Sequence, residues 1–401
     1  MKNTITTLIA MLTLMLTTHC STADNNPNPK QEQEKEQEQK INRAYQWLLN
    51  MSKPLNQPLA KSTGLVRSYQ IDKNDAEFGT MFQQFCFVYD QALALSCAII
   101  QNDKPNAVLF ANGLIKLQQT LKSKYTGGFR FFGLQENPSN ANDKYFTGAH
   151  AIATYSLLLL LEKYPNIANR NHYITSINNA FNFLETLKIK TTPKQNMYAG
   201  VFIENINFDV IATEHQHDIY FMYDKAYKVL KLNKYKTLRD EVSQVLTNKL
   251  WNPKTNRFLQ GYNDTRDALD TNSWLSLYLV KSKQHKKAAQ ALQRVDVYYQ
   301  TDPKTTLWGW NAYAKAAGHP KATNNLVWLE GSFGVALAHY RQGNLEQYQN
   351  IIKNLETSQL ESGSFLYTNI DDLNYQLKSA PSVASTAWYI IATKGKDIFW
   401  K

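Results

Sequence analysis

Cysteine is nearly absent from this chain, with three residues in 401, at positions 20, 86 and 97. Cys86 and Cys97 stand eleven positions apart in what reads as one helix, about 16 Å along its axis at 1.5 Å per residue. That lies far outside disulfide reach, so a disulfide-stapled scaffold is excluded and both are expected to be free buried thiols. Long apolar runs are missing too. The apolar stretch at 5–16 is shorter than the roughly 20 residues that cross a bilayer, and no later stretch is a second candidate, so no membrane span is expected. Nor are basic residues clustered. Lys and Arg number 44 against 33 Asp and Glu, a net charge of +11, but they are spread along the chain. Nucleic-acid binding is therefore not expected. A lysine-rich solvated surface accounts for the charge, and an acidic polysaccharide would also be compatible with it.

What is present first is an export pattern. Lys2, the apolar run at 5–16 and the small residues Ser21-Thr22-Ala23 read as a secretory signal over residues 1–23. Cys20 sits where a lipoprotein signal would place its lipid-bearing cysteine, although His19 before it is bulkier than such signals prefer. Residues 24–40 (DNNPNPKQEQEKEQEQK) offer almost no apolar side chain and read as a disordered polar linker. The protein is expected outside the cytoplasm: periplasmic, anchored at the outer membrane, or secreted.

From residue 41 to 401 the dominant signal is helical. Apolar residues recur at three- and four-residue spacing in 41–49, 88–100, 107–121, 149–161, 173–187, 219–232, 238–250, 269–280, 288–295, 328–340, 345–355 and 385–398, about twelve helices. They alternate in character. Segments such as 88–100, 149–161 and 328–340 are apolar nearly all round, whereas 232–248, 283–294 and 346–356 carry Lys, Glu and Gln on one face. A helix apolar all round must be surrounded, and an amphipathic one covers it from outside. The buried set begins near 86, 146, 213, 268, 326 and 382, at steps of about 55 to 67 residues, the self-similarity of a repeat architecture. Six buried helices ringed by six amphipathic ones make an all-α, (α/α)6 toroid in one domain. Short aromatic and glycine segments precede the buried helices, at 127–129, 200–202, 257–259, 309–310 and 363–365, and suit brief strands or turns gathered at one end.

Residues at the starts of the buried helices then converge. They include Tyr89, Asp90 and Gln91; Glu214, His215, His217 and Asp218; Asp270 and Trp274; and Trp328 and Glu330. Burying so many carboxylates for stability alone is unfavourable, so an acidic, aromatic-lined cleft is the simpler account. Some of these residues have structural work open to them. Thr213 with Gln216 has capping-box spacing, Asp270 and Ser382 can be N-caps, and Glu214 is favoured near a helix start by the dipole. His215 and His217, two apart on a helix, face different ways, and no further histidine is near in sequence. No metal site is expected, and nothing requires a cofactor. Asp90 and Glu330 stand in apolar surroundings, which raise a carboxyl pKa toward that of a general acid.

In order along the chain, Val88-Tyr89-Asp90-Gln91-Ala92-Leu93-Ala94-Leu95, Gly127-Gly128-Phe129, Thr213-Glu214-His215, Trp328-Leu329-Glu330-Gly331 and Val383-Ala384-Ser385-Thr386-Ala387-Trp388 resemble bacterial six-hairpin glycosidase-like proteins, the superfamily of glucoamylase-like and unsaturated glucuronyl hydrolase-like enzymes. The resemblance covers about residues 41–398. It implies an exported glycoside hydrolase, expected to act as a monomer on an oligo- or polysaccharide. Asp90 or Glu330 would be the acid and Glu214 or Asp218 the base. Tyr89, Trp274, Trp308, Trp310 and Trp328 would stack on sugar rings, with Gln91, His215, His217 and Asp270 also binding substrate. Trp388 is expected to pack in the core. The imidazoles beside the carboxylates also suit a lyase or epimerase, and a glycan-binding protein on a retired enzyme fold is the third reading, because fold alone does not choose a chemistry.

Overall fold

The computed structural model describes residues 29–55, 61–138, 144–203, 206–208, 210–264, 266–314, 325–372 and 377–401. The expected signal segment 1–23, Cys20 and the first residues of the expected linker lie outside them. Among the described residues the chain forms twelve α-helices: α1 (Pro29–Met51), α2 (Val88–Ile100), α3 (Lys104–Lys116), α4 (Thr147–Lys163), α5 (Arg170–Thr186), α6 (Thr213–Leu230), α7 (Asn233–Val245), α8 (Asp270–Lys281), α9 (His285–Tyr298), α10 (Leu329–Gln342), α11 (Leu345–Leu355) and α12 (Val383–Thr393).

The even-numbered helices close a ring in the unit Lys40–Lys401. Each packs on the next, α2 to α4, α6, α8, α10 and α12, and α12 packs back on α2. Their composition explains why they are inside: twelve of the thirteen residues of α2 and all eleven of α12 are buried. Each fully buried Leu, Ile or Val contributes about 1.5–3 kcal/mol, so this ring is the main store of stability. Helices α3, α5, α7, α9 and α11 each cover the inner helix that precedes them. In α7 only Tyr235, Val242 and Val245 are buried, the single apolar stripe of an outer helix. The body of α1 completes the outer layer. The Tyr45 hydroxyl donates to Asp103 at the head of α3 (2.9 Å), and Lys40 pairs with Glu356 just after α11 (3.2 Å). The toroid read from the sequence is the observed architecture, and Cys86 and Cys97 are free and buried within it.

Short strands lead straight into the inner helices. Phe85–Phe87 pairs antiparallel with Phe132–Leu134 before α2, Lys144–Phe146 with Val201–Ile203 before α4, and Pro381–Ser382 with Phe365–Leu366 before α12. These clamps fix where three of the inner helices start, and single β-bridges at Ala212, Ala268 and Trp328 precede the other three, α6, α8 and α10.

Three local expectations are corrected. The disorder expected over 24–40 gives way to helix from Pro29 onward. Glu, Gln and Lys are strong helix formers, and the segment continues from the packed turns of α1, although most of its residues are exposed. The capping box at Thr213 does not form. Thr213 Oγ1 donates to the Leu259 carbonyl (2.6 Å), while Gln216 clamps the backbone of Tyr198 through its carbonyl and its amide, both at 3.0 Å. Asp270 is the first residue of α8 rather than its N-cap, and its carboxylate accepts the Thr271 N–H at 2.7 Å. Ser382 is an N-cap, accepting from the Ser385 N–H at 3.2 Å.

Candidate active site

Because the inner helices all start at one end, their first turns face a common space. Helix α2 brings Tyr89 and Asp90, α6 brings Glu214 and, one turn on, Asp218, α8 begins with Asp270, and α10 carries Glu330 at its second position. A cavity of about 200 Å³ lies there, lined by Glu214, Gln260, Asp270, Tyr313, Trp328 and Tyr367 with Ala268, Ala312 and Leu377.

Behind the Trp328–Tyr367 wall sit Glu330 and Asp90, 3% and 5% exposed. The Glu330 carboxylate accepts the Tyr89 hydroxyl at 2.6 Å, and that hydroxyl accepts the Trp388 indole N–H at 2.8 Å. An indole only donates, so Trp388 leaves the Tyr89 proton free to point at Glu330. Burial pushes Glu330 up to about 8; the Tyr89 bond opposes the shift, and Asp90 and Asp270 add to it. Burial likewise raises Asp90 to about 7, against a hydrogen bond from Ser68. The Trp328 indole N–H stands near Glu330 and Tyr367 without a well-formed bond to either.

On the facing side, Glu214, Asp218 and Asp270 form a second acidic group. Burial raises Glu214, and Asp270 adds to the shift. Burial, then Glu214 and Asp270, hold Asp218 well above the ordinary range. Asp270 is raised by burial and partly relieved by the Thr271 amide. Oε2 of Glu214 has no hydrogen-bond partner. Among the described residues no lysine or arginine pairs with any of the five carboxyls; their only basic neighbours are two histidines. His215 is slotted between two glycines: a Cβ on Gly148 would fall 2.3 Å from its Cδ2, and one on Gly200 3.0 Å from its Nδ1. Its Nε2 lies 3.7 Å from Glu214. His217 is fully buried, its Nδ1 3.2 Å from Asp218 and its ring edge-on to Trp400. Burial lowers these two imidazoles to about 4 and about 3, so both are neutral at neutral pH. Among the described residues no group of three or more His, Cys, Asp or Glu side chains is arranged to hold a metal ion, and no helix is long and apolar enough to cross a membrane.

No model of a known protein family matches the sequence, and no curated protein does. Solved structures do match in shape. The chain is similar to a D-mannose isomerase (TM-score 0.66, 11% identity, covering 91% of this chain and 98% of that one). It is also similar to a glycosidase variant in complex with glucose (0.67, 7%, 91% and 98%) and to the cellobiose 2-epimerase of Bacillus thermoamylovorans (0.64, 12%, 90% and 99%). What the chain shares with these structures is the fold, an (α/α)6 toroid.

Within this six-hairpin mouth the expected residues divide. Glu214, Asp270 and Trp328 line the cavity, with Tyr89, Asp90, Asp218, His215 and Glu330 packed behind it. Trp274, 5% exposed, stacks on Trp388 at 5.0 Å and 11° and adjoins Trp328 at 6.2 Å. Three residues expected to bind substrate are placed elsewhere. Gln91 spends its amide on backbone, accepting from Val66 N–H (2.8 Å) and donating to the Gly64 and Phe110 carbonyls (2.8 and 2.9 Å). Trp310 is fully buried against Trp308, and His217 stands behind Asp218. Trp388, expected only in the core, is buried but bonded into the site through Tyr89. Sequence reasoning missed Ser68, Gln260, Tyr313 and Tyr367. Tyr367 follows the 363–365 aromatic segment by two residues, so a longer window on that segment would have included it.

Proposed function

We propose that this protein is a carbohydrate-active enzyme, a glycoside hydrolase. The observation that carries the reading is a cavity walled by aromatic rings, with Glu214 and Asp270 in its lining, Asp218, Asp90 and Glu330 packed behind it, and no lysine or arginine paired with any of the five among the described residues. Glu330, protonated near neutrality, is the acid: it gives its proton to the glycosidic oxygen as the C–O bond breaks. The base lies in the group formed by Glu214, Asp218 and Asp270. Glu214 is itself raised to about 8, but Asp270 beside it in the cavity wall is raised only to about 6, and the pair accepts a proton from the water that attacks the anomeric carbon. Trp328 and Tyr367 offer faces on which sugar rings stack.

Product analysis on a panel of glycans tests this. A new reducing end without the ultraviolet absorbance of an unsaturated uronide is expected. Glu330→Gln and Glu214→Gln should each lower turnover by about 10²–10⁴ while the protein still folds. Full activity in both variants would remove the paired-carboxylate mechanism. The epimerase or isomerase reading is favoured by the shapes of the mannose isomerase and the cellobiose epimerase, and His215 would be its proton carrier. The His215 ring, however, is wedged against Gly148 and Gly200. Loss of activity in His215→Ala, with both amide variants active, would replace the hydrolase by this alternative.

The export pattern of residues 1–23 supports a site of action outside the cytoplasm, periplasmic, anchored at the outer membrane or secreted, and Cys20 stands where a lipid anchor would be attached. Fractionation of cells should find the enzyme with membranes and find Cys20→Ser in the soluble fraction. An unchanged distribution would show that Cys20 is no anchor.

A further inference from the structure

The lining of the cavity has a consistent polarity. Its carboxyls, Glu214 and Asp270, come from two helices, and Glu214 Oε2 and Gln260 Oε1 are both without hydrogen-bond partners. Trp328, nine-tenths buried in the same wall, carries its indole N–H near Glu330 and Tyr367. No lysine or arginine is among the described lining residues. Among the described residues, the basic side chains next in sequence to that lining are already engaged. Arg266 grips Asp264 at 2.6 to 3.1 Å, and Lys378 holds Asp75 at 2.8 Å and Glu77 at 3.3 Å. Asp218 adds a third acid directly behind, one turn along α6 from Glu214.

From this we infer that the sugar ring entering the cavity is uncharged or basic, and that rings bearing a carboxylate or sulfate are excluded; the inference rests on the hydrolase reading above. Hydroxyl and ammonium groups are donors and satisfy acceptors that now have none, which is where a buried polar atom gains most from a ligand. A uronate would instead bring a further negative charge among carboxyls already crowded enough to raise one another, with no guanidinium or ammonium among the described lining residues to receive it. The exterior carries the opposite sign, with a net charge of +11. A polyanion drawn to the surface is thus turned away at the cavity itself.

The test is calorimetric titration of the protein with turnover suppressed by Glu330→Gln. The probes are tetrasaccharides in the gluco and manno configurations, each as the neutral, 2-amino and uronate form. In the configuration that binds, the neutral or amino form should bind at least about tenfold more tightly than the uronate, and adding Asp270→Asn should narrow that gap. A uronate that binds as well as its neutral counterpart overturns the inference. If the unsubstituted enzyme cleaves neutral and uronate chains alike, the hydrolase reading stands and only the selectivity falls; if no member of the panel binds, both fall.

Discussion

Two sets of buried acids in this molecule are treated in opposite ways. Asp267, fully buried just before α8, is gripped by Arg294, approached by Arg257 at 3.4 Å and hydrogen-bonded by Tyr299. Asp224, deep on α6, is met by Lys228 (2.9 Å), Arg239 (3.0 Å) and Lys281 (3.3 Å). Burial alone would raise the Asp224 carboxyl, and these cations more than offset it, leaving it below its ordinary value. Among the described residues the five acids at the mouth have no such partners. The chain is rich in lysine and arginine, so the difference is one of placement: cations are supplied where a carboxylate supports the frame and are absent from the carboxyls to which the proposed function assigns proton transfer and ligand contact.

The sharpest way to break this contrast is to remove the compensated acid. Asp267→Ala leaves the buried Arg257 and the partly buried Arg294 without a counter-charge; breaking a buried pair typically costs about 3–5 kcal/mol. The melting temperature should fall by roughly 10 °C, because Asp267 also ties Asn272 and Tyr299 to the start of α8. A change of a degree or two would mean the network contributes little.

A smaller effect separates the mouth acids by pH. A carboxyl whose folded pKa is raised binds its proton more tightly in the native state. Its contribution to stability is therefore full below the unfolded value near 4.5 and lost as pH rises through the folded value, about 8 for Glu330. Glu330→Gln has no such loss. Between pH 5 and pH 8 the variant should gain on the native protein by a few degrees in melting temperature, ~1–3 kcal/mol. A constant difference across that window would place Glu330 in a more solvated setting than its 3% exposure implies.

The architecture was legible because it repeats. Twelve apolar periodicities, alternating between surrounded and one-faced, are readable one helix at a time, and packing only had to close them. The site was less legible because a polar residue at the start of a buried helix can serve either the backbone or the cavity, and spacing does not tell which. Gln91 and Gln216 are the cases in point. Both sit within the first four residues of an inner helix, and both use their amides to hold a neighbouring loop. Trp388 shows the reverse: a residue with every mark of core packing, whose single polar atom reaches Tyr89. The Asp267 network was invisible for a different reason, since its partners lie 27 and 32 residues away and no local pattern links them.

The column of indoles at the mouth has an optical consequence. Trp274 and Trp388 lie nearly parallel at 5.0 Å, with Trp328 beside the first and Trp400 edge-on to both. Chromophores this close share excitation, so they absorb and emit as a coupled unit whose near-ultraviolet dichroism depends on their mutual tilt. One end of that unit, Trp328, forms a wall of the cavity, and another, Trp388, is bonded through Tyr89 to Glu330. Occupancy of the cavity and the charge on Glu330 should therefore both register in the protein's own fluorescence, with no added label.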